Sequence, residues 1–264
     1  MTYFLSLFLL VFSPISFADW VMKQEIKTDI QGQPPPGAAE MPGLGSGTQH
    51  HTFYTRPDAV RIEHGDGQVV IIRLRGKQMS AYMVNTKERT YSDANQMLPM
   101  IAMGAMFFVE CNEQGGCKER PNLVTSAGNE TRVISGFKTR KAQMNVPADM
   151  MMGSGTKPIV WMTKDSKALA AEERARMTLF ARGLASTGMP VNNMPELVQS
   201  SYDKIAAKFG VPVETVMDMG MMKSTTRIVS IEEKQLGNEL FEVPKGYKET
   251  PAFSIAPGMP PMNK

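Results

Sequence analysis

The chain is poor in the residues from which most catalytic and metal sites are built. Its 264 residues include only 3 His and 2 Cys. There is no G-x-S-x-G, no H-E-x-x-H and no phosphate-binding glycine loop. His50 and His51 are neighbours on an expected strand, so their side chains leave on opposite faces and cannot both hold one ion without a bend. His64 shares a strand face with Val60 and Ile62 and reads as a surface or satisfied strand residue. The acid pairs Glu172-Glu173 and Glu232-Glu233 read as solvated, and a carboxylate needs burial or a charged neighbour before its pKa moves. No catalytic residue, and no enzyme activity, is expected.

An excess of charge of either sign is lacking too. The net charge is +3 and no basic stripe carries interleaved aromatics, which argues against a nucleic-acid partner. The one conspicuous apolar run, Tyr3 to Phe12, is shorter than the ~20 residues that span a bilayer. It leads to Ser16-Phe17-Ala18, the small-x-small pattern of signal-peptide cleavage, so residues 1–18 are expected to be removed after Ala18. No Cys follows the run, which excludes a lipoprotein anchor, and a periplasmic protein without an integral membrane segment is expected. In that oxidising setting Cys111 and Cys117 should form a disulfide, with Gly115-Gly116 supplying the bend. The rival reading, a redox or metal pair, usually has a two-residue gap.

Strand and turn signals dominate what is present. Trp20–Ile30 alternates, residues 31–47 hold three consecutive prolines and read as a mobile hairpin loop, and Thr48–Arg56 returns as a strand. Arg61–Tyr91 reads as a meander with turns at Gly65-Asp66-Gly67, Arg75-Gly76-Lys77 and Asn85-Thr86-Lys87. Residues 93–110 change to helical period, capped by Asp93 or Asn95 and apolar all round. Strands follow at Asn122–Ser126 and Thr131–Ser135, joined by a turn at Gly128-Asn129, then at Phe137–Met144 and Lys157–Thr163, with a loop between these last two. One helix is capped by Asp165 or Ser166 and carries Leu169, Met177, Phe180 and Leu184 near one face. Another starts at Asn193-Met194-Pro195 and carries the stripe Val198, Tyr202, Ile205, Phe209. Val213–Gly237 gives two strands and Glu239–Val243 a last one, before a Pro-rich disordered tail at 250–264. The expectation is a single α+β domain over 19–249: a strongly curved antiparallel sheet, a half-open barrel, with about three helices in its concave side.

Methionine is the abundant residue, 23 in all, more than Phe, Tyr and Trp combined. Three readings stay open. In the first, Met lines an adaptable apolar cavity, because its unbranched thioether chain accommodates varied shapes. Met100 and Met103 on the helix, with Phe107, would face Val70, Ile72 and Leu74, Met79 and Met83, and Trp161 on the strands, and take a lipid, an acyl chain or an envelope partner's apolar segment. In the second, Met217, Met219 and Met221 of MDMGMM share a strand face and bind Cu(I), with His50-His51 adding nitrogen. In the third, Met fills a loosely specified core and the protein is a structural envelope interaction protein.

Three stretches carry a family resemblance. VVIIRLRGKQMSAYMVNTKERTY (69–91), VISGFKTRKAQM with KPIVWMTKD (133–144 and 157–165) and the closing ELFEVPKGYKE (239–249) resemble the periplasmic family called domain of unknown function 4412. Its fold is like that of the lipoprotein carriers LolA and LolB. The resemblance implies a half-open β-barrel wrapped around helices, with an apolar inner surface, over roughly residues 20–249. It carries no individual binding residue over to this chain.

Overall fold

The computed structural model describes residues 19–30, 46–112, 116–146, 157–186, 193–218, 220 and 222–251; for residues 100–103 and 184–186 only the backbone is described. The expected signal peptide, the Pro/Gly loop up to residue 45, the loop at 147–156 and the tail from 252 lie outside these residues. Six strands come first: β1 (Trp20–Ile30), β2 (Gly47–Arg56), β3 (Ala59–His64), β4 (Gln68–Arg75), β5 (Gln78–Asn85) and β6 (Thr90–Asp93). Helix α1 (Leu98–Met106) leads to the hairpin β7 (Val109–Cys111) and β8 (Cys117–Glu119). Next come β9 (Val124–Ile134), β10 (Phe137–Met144), β11 (Ile159–Thr163), α2 (Lys167–Ser186) and α3 (Met194–Phe209). The chain finishes with β12 (Val211–Asp218), β13 (Met222–Glu233) and β14 (Lys248–Glu249).

Twelve strands form one sheet, in the order β14-β6-β5-β4-β3-β2-β1-β13-β12-β11-β10-β9. The sheet is curved and does not close into a barrel. Register shifts mark bulges in β13 at Val229, opposite Lys23/Gln24, in β9 at residues 127–130, opposite Lys141, and in β12 at Val213, opposite Trp161/Met162, and each bends the strand that carries it. The α+β architecture is thus the expected one.

Local chemistry explains most element ends. Ser166 Oγ accepts the Leu169 N–H at 3.2 Å and caps α2. Pro sits in the first turn of α1 and of α3, where no N–H is needed. The Val198–Tyr202 part of the α3 stripe is buried, while Ile205 and Phe209 are half-buried. Asp93 and Asn95 turn the chain instead of capping α1: Asp93 Oδ1 accepts the Asn95 N–H, and Asn95 Oδ1 accepts the Ala81 N–H. Cys111 and Cys117 are disulfide-bonded and pair across β7 and β8, a hairpin with no marked alternation in sequence.

Two segments depart from expectation. Gly128-Asn129 is no hairpin turn: β9 runs through it, and residues 127–130 bulge out opposite Lys141, with Gly128 at φ +93° taking the left-handed conformation. Glu239–Val243 is no strand either. Asn238–Phe241 is a short 3-10 turn, and the final strand is β14, which pairs in parallel with β6. This closing segment plugs the outer face of the sheet. Phe241, only 2% exposed, packs against Ala59, Val69, Ile71 and Val84, and Arg56 lies 5.2 Å above its ring. The run Val69-Val70-Ile71-Ile72 is therefore apolar without alternation because both faces of β4 are covered.

Candidate functional site

The inner face of β3, β4 and β5 is apolar. Val60, Ile62, Val70, Ile72, Leu74, Met79, Ala81 and Met83 form one cluster with Leu98 and Ala105 of α1, Leu179, Phe180 and Ala181 of α2, and Met194 and Val198 of α3. The protein's own helices fill this face. Val60, Ile72 and Ala81 from the sheet, and Leu179, Ala181, Met194 and Val198 from the helices, have no exposed surface. The approach is closest at Gly183, where a Cβ would overlap the Met79 thioether. Five residues expected in a cavity, Val70, Ile72, Leu74, Met79 and Met83, do come together here, with Val70, Leu74 and Met83 half-buried. Phe107 sits in another cluster, against Leu123, Val124, Ala142, Val160 and Met162. Trp161 is buried in a third, with Arg132 stacked 3.8 Å from its ring centroid. The side chains of Met100 and Met103 lie outside the described residues.

Helix α1 is the shortest of the three helices in this roof. It has nine residues, its N-cap Met97 makes no side-chain capping bond, and neither terminal turn carries a charge that would favour the helix dipole. A helix this short is marginal by itself and is held by packing.

Glu172 and Glu173 are not solvated. The stripe Leu169, Glu172, Arg176, Leu179 and Gly183 has helical spacing, so Glu172 and Arg176 occupy the buried face of α2. Glu172 has no exposed surface; its Oε1 accepts from Thr55 Oγ1 at 2.7 Å and from Arg176 Nε at 3.0 Å. Arg176 also lies 5.4 Å above the Phe53 ring. Tyr202 of α3 donates to Glu173 Oε2 at 3.1 Å. Burial pushes the Glu173 carboxyl up to about 7, with Glu172 adding to it and Arg176 opposing. Burial, reinforced by Glu173, also raises the Tyr202 phenol. The cluster ties β2, α2 and α3 together.

A second buried acid, Glu214 on β12, is 3% exposed and lies between Arg132 and Arg227, the latter at 2.7 Å. It too is a structural ion cluster, on the sheet and away from the apolar face.

The histidines pair in a way that neighbouring positions concealed. His51 on β2 stands opposite His64 on β3, with His51 Nε2 3.2 Å from His64 Nδ1. Their rings meet edge to face, centroids 4.4 Å apart. Of the three methionines expected to bind Cu(I), Met217 lies near the end of β12, which stops at Asp218, before Met219. Met219 and Met221 are outside the described residues.

No family model and no curated protein matches the chain. Its likeness to domain of unknown function 4412 accordingly stays a resemblance. Among solved structures, the chain is similar to PNGF-II, 13% identical with a TM-score of 0.34 over 89% of this chain and 31% of that one. The chain thus spans about a third of that protein's length. It is similar to the lipoprotein LppX of Mycobacterium tuberculosis, 14% identical, TM-score 0.34, over 79% of this chain and 84% of that one. It is also similar to a LolA superfamily protein of Nitrosomonas europaea, 6% identical, TM-score 0.32, over 86% and 91% of the two chains. Likenesses this distant say nothing of ligand or partner.

Proposed function

We propose that this is a non-catalytic periplasmic binding protein that takes an apolar ligand, such as a lipid acyl chain, or a partner's apolar segment, against the inner face of β3–β5. One observation carries the reading. A broad apolar sheet surface is covered by α1, α2 and α3 together, and one of these, α1, has nine residues and no side-chain N-cap bond. An apolar guest would replace α1 on that surface and recover the same burial, worth roughly 25 cal/mol per Å². Met79 and Met83 adapt to a change of guest more readily than branched side chains. The apolar leader and the Cys111–Cys117 disulfide support export to an oxidising compartment.

The test is uptake of a long-chain fluorescent fatty acid by the mature protein. The wild type should bind it, and Met83→Lys should weaken binding by about tenfold or more, since a charge would be carried into the apolar contact. Met83 is half-buried, so the variant should fold. Uptake by neither protein would overturn the reading and favour the third one, a filled core whose role lies in contacts with another envelope protein.

A further inference from the structure

The His51–His64 pair is independent of the apolar face, and its geometry suits a metal ion. Two imidazole nitrogens bound to one ion at ~2.0–2.1 Å lie roughly 2.9–3.4 Å apart when the angle at the ion is between about 90° and 110°. The two ring nitrogens stand 3.2 Å apart. They come from adjacent strands held in register by the β2–β3 hairpin, so the spacing is built into the sheet.

Burial favours the neutral form of both rings, the form a metal needs. A ligating imidazole must be neutral. Burial, and then the neighbouring His64, hold His51 down to about 4, and burial also lowers His64. The Asp66 carboxylate in the β3–β4 turn acts on both rings in the opposite sense, favouring positive charge beside them. Both histidines are half-buried, which leaves a route from solvent. Among the described residues no third His, Cys, Asp or Glu joins them to make a larger ligand group. The set is thus two imidazoles completed by water, and for such nitrogen ligands first-row divalent ions follow an order that peaks at copper.

We propose that His51 and His64 form a two-imidazole site for a divalent first-row transition-metal ion, Cu2+ before the others. In the metal-free protein the same two nitrogens share an N–H···N hydrogen bond. The site differs from the methionine cluster at 217–222 in residues, in place and in the oxidation state it would favour.

Titration of the mature protein with Cu2+ at pH 7.5, followed by calorimetry and electron paramagnetic resonance, tests it. The wild type should bind one Cu2+ with two nitrogen ligands. His51→Gln and His64→Gln should each lower the affinity tenfold or more, while His50→Gln, on the opposite strand face, leaves it unchanged. Equal affinity in the wild type and both glutamine variants would overturn the site. Should either variant misfold, imidazole 15N shifts of the wild type with added Zn2+ decide. Movement of both rings supports the site, and rings that stay in place refute it.

Discussion

Glu172 shows what a single residue contributes to this architecture. Its carboxylate is removed from water and is held by Thr55 and Arg176. Removing the cation alone leaves an unpaired buried charge, so Arg176→Met should cost about 3–5 kcal/mol in urea unfolding, whereas Glu172→Met/Arg176→Met together should recover most of that loss. A single-variant cost below about 1 kcal/mol would mean that the cluster is solvated. Two further residues set opposite pH dependences. Glu173 titrates near 7 in the folded protein against 4.5 as its ordinary value, so the folded form holds the extra proton between these limits. Stability from this residue is therefore lost as pH rises through about 7. His51 titrates near 4 against 6.5, so its contribution is lost as pH falls from 6.5 towards 4. Stability curves of Glu173→Gln and His51→Gln should each lose one of these limbs and keep the other. A curve unchanged in either variant would contradict its assignment.

At the scale of elements, the closing segment matters most for stability on the outer face. Phe241→Ala should cost about 3–5 kcal/mol, because the ring fills a site bounded by Ala59, Val69, Ile71 and Val84. A strand at 239–243 on a solvated surface would lose far less. Reducing Cys111–Cys117 should cost only about 2 kcal/mol, since the loop it closes is short. The strands of the meander, α2 and α3 were legible because period and turn chemistry agreed in each. So, in principle, were two features that residue-by-residue reading missed. Counting outward from the two-residue turn Pro57-Asp58 places His51 opposite His64, and helical spacing from Leu169 places Glu172 and Arg176 on the buried stripe. The parallel pairing of β14 with β6 and the bulge at Gly128 were not legible. The first depends on a partner distant in sequence, and the second adds residues to one strand of a hairpin, neither of which local alternation encodes.

For the whole molecule, the sheet presents an apolar inner face, and the chain covers it with its own helices. Whether that roof is permanent or yields to a guest decides between a carrier and a filled structural core. Among the described residues no helix is long and apolar enough to cross a membrane. Native mass spectrometry of the mature protein, released from its own compartment without detergent, tests this most directly. The account predicts an added mass of lipid size that disappears on organic extraction, with the extracted protein able to take up fatty acid again. A bare polypeptide that takes up nothing would contradict it and leave α1 as a fixed part of the core.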